Sequence, residues 1–113
     1  MQHEHRYRGV RAGQAAIVSV DGRPLPPTPL ATRLAPNGYD WGCQNQAARA
    51  LAHALLAYEV DKRTADAAYQ AFQQEVIAIL PHGTSGEAWL LTSAEIRAWL
   101  DAHQRTRESG KEP

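Results

Sequence analysis

The stretch Tyr39-Asp40-Trp41-Gly42-Cys43-Gln44-Asn45-Gln46 divides the chain into two regimes. Before it, residues 24–38 hold Pro24, Pro26, Pro27, Pro29 and Pro36 and end in Asn37-Gly38. Proline fixes φ and removes a backbone donor, so this segment reads as a semi-extended connection with a terminal turn. After it, from about Gln44, alanine and leucine dominate and a helix begins. The aromatic pair and the glycine therefore stand at a helix N-terminus, where free amides are available to an anion. Cys43-Gln44-Asn45-Gln46 supplies no lysine, arginine or further glycine, so an architectural corner is the better reading, with Tyr39 and Trp41 plugging one end of the core.

Upstream of this corner the pattern is that of strands. Arg6-Tyr-Arg-Gly-Val-Arg11 alternates bulky and polar side chains, Ala12-Gly13 offers a turn, and Ala15-Ala-Ile-Val-Ser-Val20 is rich in β-branched residues. Asp21-Gly22 is a second turn signal, and Pro24 limits any third strand to an edge. Downstream, the first helix runs from about Gln44 to Tyr58. Its spacing places Ala47, Leu51, Ala54, Leu55 and Tyr58 on one face and Gln46, Arg49 and His53 on the opposite one. Thr64 is the expected cap of a second helix, whose apolar stripe is Ala65, Ala68, Tyr69, Phe72, Val76, Ile79 and Leu80; Asp66, Gln70, Gln73 and Gln74 point away, and Pro81 stops it.

His82-Gly83-Thr84-Ser85-Gly86 reads as a loop and Glu87-Ala-Trp-Leu-Leu91 as a late strand. Thr92-Ser-Ala-Glu95 is a capping box, flanked by Leu91 and Ile96 as a hydrophobic staple. The helix it starts turns Ile96, Trp99 and Leu100 inward and ends near His103. The expected domain is α+β, in the order β-β-α-α-β-α: a small antiparallel sheet, made of the N-terminal hairpin and the late strand, packed by three helices. It spans residues 1–103 as a single globular domain, with a charged, disordered tail over 104–113.

Composition narrows the function. The 113 residues carry 12 basic and 12 acidic side chains, which argues against gross electrostatic capture by nucleic acid or membrane. No apolar run approaches a membrane span and the N-terminus lacks a signal-peptide core, so the cytoplasm is the expected location. The lone Cys43 excludes an intrachain disulfide, and the five histidines lack metal-ligand spacing, so neither metal nor cofactor is expected. Cys43 lies where a helix dipole lowers a thiol pKa, yet no base accompanies it; a small, partly buried hydrophobe is the favoured reading over a nucleophile. Trp89 and Trp99 read as core residues.

Two surfaces remain as candidates. Arg6, Arg8 and Arg11 form a basic cluster on the first strand, with Arg6 and Arg8 on one face and Arg11 on that of Tyr7. Gln46, Arg49 and His53 form the polar face of the first helix. With no acid–base or metal constellation in view, the expected function is a non-enzymatic binding module engaging a protein through one of these surfaces. The alternatives are nucleic-acid binding through Arg6, Arg8, Arg11 and Arg23, and a small enzyme using Cys43.

Taken in order, Tyr7-Arg-Gly-Val10, Val20-Asp-Gly22, Trp41-Gly42, Leu51-Ala-His-Ala-Leu-Leu56 and Trp89-Leu-Leu-Thr-Ser-Ala-Glu-Ile96 resemble the family numbered 6166 among domains of unknown function. After the Trp-Gly pair that family usually has an aromatic residue and glycines where this chain has Cys43-Gln-Asn-Gln46. The family consists of short proteins from bacteria, phages and plasmids. The resemblance implies an accessory or anti-defence role on a mobile element, for example of an anti-CRISPR kind, exerted by binding a host protein. It implies no catalytic residues.

Overall fold

A computed structural model describes residues 4–12, 15–80 and 88–110. The fold is α+β. Strands β1 (Arg6–Ala12), β2 (Ala15–Val20) and β3 (Arg23–Pro24) are followed by helices α1 (Pro29–Leu34), α2 (Gln46–Glu59) and α3 (Lys62–Glu75), a 3₁₀ turn (Ile77–Ile79), strand β4 (Ala88–Thr92) and helix α4 (Ser93–Gly110). The sheet has the order β3-β2-β1-β4 and every neighbouring pair is antiparallel. The late strand therefore pairs with the N-terminal hairpin, as the sequence leads one to expect. Asp21 and Gly22, at φ 52° and 82°, form the left-handed two-residue turn between β2 and β3. Pro24 stands on the edge strand, where a missing donor costs nothing. The expected turn at Gly13, the loop 82–86 and the stop at Pro81 lie outside the described residues.

One sheet face is buried. Tyr7, Val18, Val20, Trp89 and Leu91 alternate inward and join Trp41, Leu51, Leu55, Leu56, Phe72, Ile77 and Ile96 in one core. Trp41 is fully buried and meets Trp89 edge to face at 5.6 Å, so it does close this end of the core. Gly42, at φ 72°, turns the chain there and donates its N–H to the Ile77 carbonyl at 2.8 Å.

The principal departure from expectation is α1, which lies inside the segment read as extended. Thr28 caps it, its Oγ1 accepting from the Ala31 amide at 3.0 Å, and Pro29 occupies the first turn, where its missing N–H has no partner to lose. This short helix packs on α2 and changes what α2 must be. With the sheet, α1 and α3 around it, α2 is buried nearly all round, including Ala48, Ala50, Ala52 and His53. Meanwhile Tyr58, expected in the core, is exposed and Glu59 is buried in its place.

Capping differs in detail. Asn45 caps α2 through the Ala48 amide at 2.8 Å. Asp61, not Thr64, caps α3, its carboxylate accepting from the Thr64 amide at 2.7 Å. Helix α3 stops at Glu75, and the switch to 3₁₀ geometry breaks the apolar stripe: Ile77 turns inward and Ile79 is 78% exposed. Gln73, read as outward, is buried and donates to the Cys43 carbonyl at 2.9 Å. At the start of α4 the Thr92–Glu95 box forms in both directions, at 3.0 and 3.3 Å. Helix α4 then runs past His103.

Candidate functional site

Among the described residues, the helices cover one side of the sheet and nothing covers the other. On the bare side the alternation brings out Arg6, Arg8 and Val10 from β1, Ile17 and Ser19 from β2, and Leu90 from β4. Val10 stands opposite Ile17 in register, and Arg8 stands opposite both Ser19 and Leu90. Ile17 and Leu90 are 53% and 56% exposed. The result is an aliphatic centre with two arginines beside it, a composition that a solvated sheet face does not require.

Arg11 is not part of this patch. It leaves from the other side of β1, pairs with the Asp40 carboxylate, and lays its guanidinium 4.6 Å from the Trp41 ring centre. Asp40 also accepts from the Trp41 amide at 2.8 Å, Asn45 Nδ2 at 2.9 Å and Cys43 Sγ at 3.3 Å. Burial alone would raise the Asp40 pKa, but these hydrogen bonds to its charged form outweigh it and bring the group to about 2. The same carboxylate works against Cys43. Burial first, then the hydrogen bond and charge of Asp40, push the thiol up to about 11. Burial and Asp40 thus outweigh the helix-dipole effect expected from sequence, and Cys43 is a free, half-buried thiol tied to the Asp40 carboxylate.

The second expected surface loses one of its three members. Gln46 is exposed and Arg49 half-buried, but His53 is fully buried beneath α1. Its Nδ1 lies 2.8 Å from Thr28 Oγ1 and its Nε2 2.7 Å from Asp66 Oδ1, and its ring meets Tyr69 edge to face. Asp66, held also by Lys62 at 2.8 Å, accepts from Nε2, and Nδ1 is paired with the Thr28 hydroxyl. Acid, imidazole and hydroxyl thus stand in the order of a catalytic relay. The Thr28 oxygen, however, is spent on capping α1 and the imidazole has no open side, so the line joins α1, α2 and α3 rather than activating a nucleophile.

A further polar cluster had no sequence signal. Glu59 is buried and accepts from Tyr7 Oη at 2.7 Å, Ser93 Oγ at 2.6 Å and Arg97 Nε at 2.7 Å. Ser93 Oγ in turn accepts from the His5 amide at 2.7 Å. Burial would raise the Glu59 carboxyl, but its hydrogen bonds from Ser93, Tyr7 and Arg97 prevail and hold it below its ordinary value. Tyr7 is raised above its ordinary range, by burial first and then by Glu59. Both oxygens of the carboxylate are engaged, so the cluster binds β1, α2 and α4 together. Among the described residues no group of three or more His, Cys, Asp and Glu is placed to hold a metal ion, and no helix is long and apolar enough to cross a membrane.

The model of the family of unknown function DUF6166 matches residues 7–102. The chain belongs to this family. The match takes in all of the sheet but Arg6, along with Asp40, His53, Glu59, Val10, Ile17 and Leu90. No curated protein and no solved structure matches the chain. Within DUF6166, then, the chemistry of this member has to be read from its own side chains.

Proposed function

We propose that this DUF6166 protein is a non-enzymatic binding module that docks a protein on the bare face of its sheet. The observation that supports it is the patch formed by Val10, its register partner Ile17 and the diagonally placed Leu90, beside Arg6 and Arg8. Its complement is a partner surface with an apolar centre and acidic residues at one side. Nucleic acid is a weaker fit: the platform is aliphatic and gives bases no ring to stack on, Arg11 is engaged by Asp40, and the formal net charge is zero. An accessory or anti-defence setting, with a host protein as partner in the cytoplasm, belongs to the same proposal and rests on the character of the family as read from sequence.

The test is a pull-down from the native host at physiological salt with three proteins: the unmodified chain, an Ile17→Glu/Leu90→Glu variant, and a Gln46→Ala/Arg49→Ala variant. The expected result is one stoichiometric partner, kept by the α2 variant and lost by the sheet variant. A partner retained by the folded sheet variant rejects this surface. A mobility shift with nucleic acid that weakens steeply with salt and disappears in Arg6→Ala/Arg8→Ala favours the nucleic-acid reading instead.

A further inference from the structure

The two edges of the sheet are built differently. The β3 edge is two residues long and carries Arg23 and Pro24, a charge and a missing donor that both discourage a further strand. The β4 edge, Ala88-Trp-Leu-Leu-Thr92, is five residues long and contains no charged residue and no proline. It runs in unbroken register with β1, so it carries no bulge either. Among the described residues no strand lies outside it. Natural sheets rarely leave such an edge unguarded, because its free amides and carbonyls template another strand.

The direction of those groups follows from the ladder. In an antiparallel pair, residues bonded to the neighbouring strand alternate with residues turned away from it. The Ser93 amide donates to the His5 carbonyl at 3.0 Å, so Ser93, Leu91 and Trp89 face β1. Ala88, Leu90 and Thr92 therefore turn their backbone groups outward. The Thr92 amide is taken by the Glu95 carboxylate at 3.0 Å, which closes the edge at its α4 end. The N–H and C=O of Leu90 lie at the middle of the edge, beside a side chain that is 56% exposed on the bare face.

We infer that the β4 edge pairs with the β4 edge of a second copy of this chain, antiparallel about a two-fold axis at Leu90. Glu95 leaves only Ala88 and Leu90 open to an incoming strand, a short run that a two-fold axis at Leu90 uses from both sides. A strand paired with itself must bring no like charges together, and this one brings none. Leu90 stands opposite its own counterpart and exchanges both hydrogen bonds with it, and Ala88 stands opposite Thr92. The two exposed leucines meet side by side and cover each other. Arg8, one strand further in on each copy, stands three strand spacings, about 14 Å, from its counterpart, beyond the screening length at physiological salt. The inference goes beyond the function proposed above and does not rest on it: the joined sheets set two Val10–Ile17 patches on one continuous face.

Sedimentation equilibrium of the full chain tests this, from micromolar to millimolar concentration at physiological salt. The expected result is a reversible monomer–dimer equilibrium, from 12.4 kDa to twice that mass. Leu90→Lys sets two charges face to face, and Leu90→Pro removes the outward donor without touching a β1–β4 bond. Each should weaken the dimer by at least about tenfold. Ile17→Glu, two strands in from the edge, should leave the dimer unchanged, which separates this test from that of the sheet-face partner. A covalent readout covers the case in which the Leu90 variants misfold. In a Cys43→Ser background, Leu90→Cys should cross-link between copies under mild oxidation far faster than Ile17→Cys, a position of nearly equal exposure at 53%. The inference is overturned by a chain that stays monomeric throughout, by a dimer unmoved in both folded Leu90 variants or broken by Ile17→Glu, or by equal cross-linking at the two positions.

Discussion

The indole of Trp89 fills the space over Gly9 that a β-carbon would need. The two residues are direct partners across β1 and β4, and a Cβ built on Gly9 overlaps the six-membered and pyrrole atoms of the ring. Trp89 cannot retreat freely, because Trp41 packs against it. Gly9→Ala is therefore expected to destabilise the fold by about 1–3 kcal/mol through overpacking, despite the better strand propensity of alanine. A thermal or urea melt checks this; an unchanged midpoint would show that the indole has another place to go.

Glu59 holds three donors from two other elements. Glu59→Ala leaves the Tyr7 hydroxyl buried without an acceptor and removes the partner of Arg97, so a loss of about 3–5 kcal/mol is expected. Glu59→Gln keeps the shape and one acceptor and should lose less. Urea denaturation of the two variants gives the comparison, and an equal loss in both would assign the effect to volume rather than to hydrogen bonding.

Acid should unfold the protein through the same groups. Glu59 and Asp40 both have folded pKa values below their unfolded ones, Asp40 at about 2. Depressed carboxylates add stability that is complete above their unfolded pKa, near 4, and that disappears as pH falls through the folded pKa. Stability should therefore fall from about pH 5 towards pH 2. Asp40→Asn combined with Glu59→Gln should flatten this slope while lowering the plateau at neutral pH. A slope identical to that of the unmodified chain would place the titration elsewhere.

Cys43 should be slow towards alkylating reagents. With its thiol at about 11 it is essentially undissociated at neutral pH. Iodoacetamide labelling of the native protein at pH 7 should be on the order of a hundredfold slower than that of free cysteine. Asp40→Asn, which removes one of the two causes of the shift, should speed it. Labelling at the rate of a free thiol would restore the enzymatic reading of this residue.

Thr28 serves α1 and His53 at once. Thr28→Val removes the cap of a six-residue helix and the hydrogen-bond partner of a buried imidazole, with an expected cost of about 1–2 kcal/mol. The loss should be concentrated in α1, so hydrogen exchange of the Ala31 and Thr32 amides should accelerate far more than that of α2. Uniform acceleration would mean that α1 does not open separately.

Elements whose signals are local were legible in the sequence: the β1–β2 alternation, the Asp21-Gly22 turn, the Thr92–Glu95 box and the start of the helical half after Trp41. The Thr28-Pro29 pair also carried a helix-start signal, but the proline density around it pointed the other way. Missing α1 had a further effect, because a helix read as two-faced is in fact surrounded, and His53 was assigned to solvent. Glu59 could not be found from periodicity, since it stands one residue past Tyr58, where packing rather than spacing decides which side chain turns in. Of the candidate residues, Arg6 and Arg8 stand on an open surface as the alternation suggests. Their aliphatic neighbours Ile17 and Leu90 come from strands distant in the chain, so no single stretch of sequence groups them.

The pairing of β1 with β4 also sets the order in which the chain can fold. The hydrogen bond between the His5 amide and Ser93 Oγ joins residues 88 positions apart, and the sheet neighbours Arg6 and Thr92 are almost as far separated. On a ribosome, β1 must wait for the α1, α2 and α3 helices to be synthesised before β4 can cover its second edge. The α2–α3 hairpin, built from contacts near in sequence, has no such delay. Until β4 arrives, Tyr7 and the free edge of β1 stay open to other chains. Crowded expression at high temperature should therefore aggregate the nascent protein well before it threatens the finished one.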